Sequence, residues 1–238
     1  MNLGVYISLK NDDLYIKDVI KPVLEVFPQV KIIDLESTDN SIERIKETRV
    51  PYIVHNGIGG EKFTNLKNFY SKKHDWVVWI DSDEIYPVES LLKMKELIEI
   101  YSKAPIKIPI KPPLLVEERK TIRCSWKLVR EENGKLFIAD KLRMNGHKAF
   151  DSRIYTYIDP WPYEVLYGNE HLKESKKHYN GVWCWHAVLL ERSSVGSVYK
   201  DTKGRYTVRE KKRQGKLEMY IPQYEWKEIE KLPWMEII

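Results

Sequence analysis

VVWIDSDEIYP, residues 77 to 87, decides how the rest of the chain is read. Val77, Val78, Trp79 and Ile80 are apolar at consecutive positions, and Asp81, Ser82, Asp83 and Glu84 follow directly. A strand with no polar alternation is one buried on both faces, as strands of a parallel sheet are. In extended backbone, positions i and i+2 project to the same side. Asp81 and Asp83 therefore converge at the carboxyl end of the strand, where open α/β sheets bind ligands. Two carboxylates there attract a hard divalent cation, Mg²⁺ or Mn²⁺, which takes few protein oxygens and adds phosphate oxygens. The plainer reading is an acidic turn capping the helix that follows.

Working outward, strand-like runs lie at 3–8, 30–35, 51–54 and 76–81, with helical patterns at 13–27, 40–48, 62–73 and 88–102. In the last helix Leu91, Leu92, Met94, Leu97, Ile98 and Tyr101 are spaced as an apolar stripe. Asp39, Asn40 and Ser41 are N-cap candidates for the second helix. Strand–helix–strand repetition with short connections predicts a parallel sheet covered by helices on both faces. Asp34 ends the second strand, with Ser37, Thr38 and Asp39 in the turn after it. The first strand ends near Ser8 to Asn11, so three strand ends line one crevice. From about residue 104 the pattern shifts to a Pro-rich stretch and shorter runs at 123–130, 135–139 and 153–158, a mixed sheet.

The chain has 238 residues and a net charge of +5. Residues 200–216 hold eight basic and two acidic residues, net +6, so the rest sums to −1. Nucleic-acid binding by the whole chain is therefore not expected. No apolar run approaches the roughly 20 residues of a membrane span, and the start carries no secretory pattern. Cys124 and Cys184 lack metal-site spacing and read as two buried thiols in a reducing compartment. The location expected is cytoplasmic, peripheral to the inner face of a membrane if the aromatic end meets lipid.

These motifs together resemble the family-2-like glycosyltransferases of the GT-A fold. ISLKNDDLYIKDVIKPVL is similar to the family's first strand, Asn and first helix. IIDLESTDNS is similar to its Asp-x-x-Ser-x-Asp turn, here Asp34, Ser37 and Asp39. WVVWIDSDE is similar to its hydrophobic strand and D-x-D, here Asp81 and Asp83. The resemblance covers residues 1 to 105. It implies an α/β fold with a mostly parallel central sheet and a smaller mixed-sheet acceptor half. It divides the chain into a nucleotide-sugar half at 1–105, an acceptor half at 106–199, and a basic loop and aromatic tail at 200–238. It implies a metal-dependent transferase that moves a sugar from a UDP- or GDP-sugar to a hydroxyl of a glycan, lipid or protein.

On that resemblance Ser8, Asn11, Asp34 and Asp39 line the nucleotide crevice, and Asp81 and Asp83 hold Mn²⁺ or Mg²⁺ on the diphosphate. His186, after a Trp-Cys-Trp strand, is either a packing residue or a third group near the metal, as several GT-A enzymes place a late histidine. The other histidines read as surface or packing residues. The acceptor base is expected from the second half: Glu164 first, among aromatics that stack on sugars, with Asp151, Asp159 and Asp140 as alternatives. Lys200, Lys203 and Arg205 are expected on the diphosphate, in a loop that closes over the donor. The other readings of that segment are an exposed helix face and a patch for anionic lipid. The tail's Tyr220, Tyr224, Trp226, Trp234 and Met235 dock on their own domain, on a second copy or on a membrane, docking being the simplest. Two rival functions are a sugar-phosphate nucleotidyltransferase, which needs a Gly-rich basic loop after its first strand, and a nucleic-acid or surface binding module.

Overall fold

The computed structural model describes residues 1–55, 60–103, 121–139, 143–151, 181–195 and 225–236. β1 (Leu3–Leu9) is the hub of the parallel region. It pairs on one side with β2 (Val30–Asp34) and on the other with β4 (Trp76–Asp81), and β2 pairs with β3 (Tyr52–Val54), all in parallel. These strands alternate with α1 (Ile16–Val26), α2 (Ser41–Thr48) and α3 (Gly60–Ser71), and α4 (Val88–Ser102) follows the short β5 (Glu84–Ile85). The expected class is what is observed: a mostly parallel first half with a mixed second half on the same sheet.

Alternation along the strands divides the core. Val5, Ile7 and Leu9 of β1 and Trp76, Val78 and Ile80 of β4 pack with α1 and α4. Tyr6, Val77 and Trp79 face the opposite way, toward Leu66 and Tyr70 of α3. Helices thus cover both faces, which is why β4 has no polar position before Asp81. On the α3 face a Cβ at Gly4 would sit 2.4 Å from the His74 ring, so only glycine lets that ring approach. His74 Nε2 is 2.7 Å from the Tyr6 hydroxyl, and His55 Nε2 is 2.8 Å from the Tyr70 hydroxyl, so both histidines are packing residues, as expected. Burial, then the neighbouring Tyr70, pushes the Tyr6 phenol up to about 12.

The second half extends the sheet. β8 (Arg143–Asp151) lies antiparallel to β4, and β6 (Thr121–Glu132) pairs antiparallel with β8 and with β7 (Lys135–Ala139). β9 (Trp183–Leu189) runs parallel to β6 and antiparallel to β5. β10 (Trp226–Ile229) pairs with β7, and Trp234 is buried with its ring centroid 5.5 Å from that of Tyr15. The tail's described part therefore docks on its own fold, although Met235 is exposed. Tyr220, Tyr224 and the run at 153–158 lie outside the described residues. Cys124 and Cys184 are both buried, with sulfurs 3.5 Å apart.

One expectation needs correction. Leu92 is 53% exposed and does not belong to the apolar stripe of α4; the buried positions are Ser90, Leu91, Met94, Leu97 and Ile98. Asn40 stands at the N-cap of α2, as expected; its side chain makes no cap bond, and Asp39, another of the candidates, accepts the Ser41 N–H at 3.0 Å. No helix among the described residues is long and apolar enough to cross a membrane.

Candidate active site

The register sets three strand ends side by side. Ser8 lies opposite Asp81, and Leu9 lies opposite Asp34. Ser8 Oγ donates to Asp81 Oδ1 at 2.9 Å, which ties the ends of β1 and β4 together. Beyond β1 the chain turns at Asn11, whose φ is 52°, a conformation asparagine tolerates better than most residues. That turn lets Asn11 Oδ1 accept the Thr38 N–H at 2.7 Å, while Asn11 N donates to Ser37 Oγ at 3.0 Å. The loops after β1 and β2 are thereby joined across the crevice.

Asp34 is buried, and its carboxylate accepts the Ser37 N–H at 3.2 and 3.3 Å. Burial pushes its carboxyl above the ordinary range, and the bonds from Ser37 oppose this. Asp39 behaves in the other direction. Burial alone would raise it, but hydrogen bonds led by Ser41 and Ser193 hold it below the ordinary value. Ser193 Oγ donates to Asp39 Oδ2 at 2.7 Å, and Ser194 N donates to Asp13 Oδ1 at 2.7 Å. Leu14 N donates to the Arg192 carbonyl at 3.0 Å. Residues 192–194, from the far end of the chain, are stitched to the loops that carry the crevice.

Asp83 is the centre of the site. Its backbone carbonyl accepts the Ala187 N–H at 2.8 Å, which anchors β9 beside it. β9 thereby delivers His186, whose Nε2 is 3.3 Å from Asp83 Oδ2. The His186 ring packs against Trp126 at a centroid distance of 4.2 Å, and its Nδ1 is buried without a hydrogen-bond partner among the described residues. Arg192 reaches the same carboxylate: Nη1 contacts Asp83 Oδ2, and Nε lies 2.9 Å from Asp12 Oδ1. Ser82 Oγ donates to the other oxygen of Asp12. Behind this layer Glu84 is buried and accepts from Trp126 Nε1 at 3.1 Å, the Tyr86 hydroxyl at 3.3 Å and Asp81 N at 3.3 Å. Burial raises the Tyr86 phenol well above its ordinary value, so it stays a donor.

The structure therefore gathers Ser8, Asp81, Asp83 and His186, and adds Asp12, Glu84, Trp126 and Arg192, which sequence reading did not single out. It does not bring Asp151 to them. Asp151 pairs with Trp76, at the amino end of β4, five residues from Asp81. At about 3.3 Å per residue that is about 16 Å along the strand, which removes Asp151 as a base for this crevice. Asp140, Asp159, Glu164, Lys200, Lys203 and Arg205 lie outside the described residues.

Carboxylate oxygens are the donor type that suits Mn²⁺ or Mg²⁺. Among the described residues no three His, Cys, Asp or Glu side chains converge as a complete metal site. An ion bound by one or two carboxylates, with phosphate oxygens and water completing its shell, needs no such cage. The donors present fit that second case.

No protein-family model matches the chain, and no curated protein matches it. Solved structures do. Residues 1–349 of TarS from S. aureus match at 16% identity and TM-score 0.35, over 55% of this chain and 36% of that one. Glucosyl-3-phosphoglycerate synthase from Mycobacterium tuberculosis, in complex with Mn²⁺, UDP and phosphoglyceric acid, matches at 17% identity and TM-score 0.39, over 64% and 56%. The same enzyme with UDP matches at 18% identity and TM-score 0.39, over 64% and 57%. This chain thus spans between about a third and little more than half of those proteins. Similarity this low leaves the functional reading to the chain's own residues.

Proposed function

We propose that the chain is a glycosyltransferase that uses a nucleoside-diphosphate sugar and a divalent cation. One observation carries the reading: Asp81 and Asp83 sit at the carboxyl end of a buried parallel strand, with His186 brought to Asp83 from a distant strand. A structural acidic turn does not call for an imidazole against its second carboxylate. The motif resemblance over residues 1 to 105 supports the same reading.

In this account Asp81 and Asp83 hold Mn²⁺ or Mg²⁺, with His186 beside them. The bound ion supplies neutralisation of the charge that builds on the departing diphosphate. The chain's own groups do the rest. Ser8 fixes the Asp81 carboxylate, and Trp126 fixes the His186 ring. The Asp34 turn and Asn11 shape the wall for base and ribose. Glu164 takes the proton from the acceptor hydroxyl, with Asp159 as the alternative. Lys200, Lys203 and Arg205 pair with phosphate oxygens. The division into a donor half at 1–105, an acceptor half at 106–199 and a tail at 200–238 belongs to this proposal.

A nucleotidyltransferase is disfavoured because the β1–α1 connection carries Asp12 and Asp13, both buried, where a triphosphate needs glycine and positive charge. The test is a panel of UDP- and GDP-sugars incubated with the protein and Mn²⁺, following release of the nucleoside diphosphate. Release from one donor class, lost on chelation, is expected. No release from any donor would sink the proposal.

A further inference from the structure

Arg192 stands where a divalent ion has to act. Its guanidinium contacts Asp83 Oδ2, the oxygen that also lies 3.3 Å from His186 Nε2. Its Nε is 2.9 Å from Asp12 Oδ1, and the side chains of Asp12, Asp83 and Arg192 are 3%, 11% and 21% exposed. Two nearly buried carboxylates would repel each other with no cation between them.

We propose that Arg192 is a built-in counter-cation, which holds Asp83 in the metal-free protein and yields it when the divalent ion binds. This rests on the glycosyltransferase reading and adds a step to it. The local geometry allows the exchange without unfolding the segment. The Arg192 carbonyl is held by Leu14 N at 3.0 Å, Ser193 is held by Asp39 and Ser194 by Asp13. Asp12 keeps a second hold on the guanidinium when Asp83 is released. Asp12 itself retains the Ser82 hydroxyl. Arg192 and the ion compete for one oxygen, so the arginine lowers the site's affinity for metal alone. It also holds the Asp83 carboxylate in place when no ion is present.

The consequence has a sign that a merely structural arginine would not produce. Arg192→Ala should bind Mn²⁺ more tightly than the wild type, by about tenfold or more, the size of one charge-assisted hydrogen bond no longer displaced. Arg192→Lys, a point charge without the planar fork, should fall between the two. Millimolar methylguanidinium should return Arg192→Ala toward wild-type affinity.

Mn²⁺ alone is the probe, with the unbound ion read by electron paramagnetic resonance, and circular dichroism shows which variants are folded. UDP binding to the wild type in Mn²⁺ is measured in parallel. Tighter Mn²⁺ binding by whichever variant folds supports the counter-cation. Equal or weaker Mn²⁺ binding by the folded variants, with UDP–Mn²⁺ binding by the wild type intact, overturns it and leaves the proposed function standing. A wild type that binds neither Mn²⁺ nor UDP overturns both.

Discussion

Replacing Asp83 by asparagine keeps the shape of the side chain and removes its charge. The loss falls on two partners at once, Arg192 and His186, both in contact with Oδ2. A hydrogen bond to a charged group contributes about 1.5–3 kcal/mol, against about 0.5–1.5 for a neutral one. Arg192 keeps Asp12 and is partly reached by water, so the lower part of the range is the better guide. For a domain of this size 1 kcal/mol moves the melting temperature by about 2–4 °C. Asp83→Asn should therefore melt about 3–8 °C below the wild type in EDTA. Asp81→Asn alters the bond from Ser8 Oγ and should lose about half as much. The assay is differential scanning calorimetry at pH 7 on the wild type and both variants. Equal losses, or no loss in Asp83→Asn, would refute the placement of Asp83 at the centre of the charged cluster.

Three further outcomes are expected. Trp126→Phe removes the indole N–H from buried Glu84 and reshapes the surface behind His186, so it should cost about 1–3 kcal/mol; a melt indistinguishable from the wild type would contradict this. The Asp39 carboxyl is held below its ordinary value, so its contribution is present above the unfolded value of about 3.9 and fades as pH falls through the folded one. The melting gap between wild type and Asp39→Asn should then be wider at pH 6 than at pH 3, and a constant gap would show the hydrogen bonds are not the cause. Glu164→Gln should keep donor affinity and lose about 10²–10⁴ in transfer rate; full turnover would move the base to Asp159.

How much of this could be read from the sequence depends on whether the signal is local. β4 was legible because a strand buried on both faces has no polar interruption until it ends at Asp81. The bounds of α4 at 88 and 102 were legible because Pro87 precedes it and apolar spacing continues to its end. Leu92 misled because one apolar residue beside a stripe has the same local pattern as one within it. β8 was missed because Arg143-Met144-Asn145-Gly146-His147-Lys148 shows neither alternation nor an apolar run, and its place comes from pairing with β4 and β6. Asp151 was misplaced for the same reason, since which end of the sheet a strand finishes at depends on its direction. Arg192, Asp12 and Trp126 could not be found as site members at all. The pairing of β9 with β5 and β6, its anchoring by the Asp83 carbonyl, the Leu14 bond to the Arg192 carbonyl and the serine stitches of residues 193 and 194 bring Arg192 to Asp83, and all are long-range. His186 could be singled out from the apolar run before it, but its partner could not.

The most direct test of the account is calorimetric titration of UDP into the protein in Mn²⁺ and again after chelation, with Asp81→Ala alongside. The account predicts binding in Mn²⁺ that chelation removes and that Asp81→Ala abolishes while the variant stays folded. UDP affinity unchanged by both chelation and Asp81→Ala would contradict it.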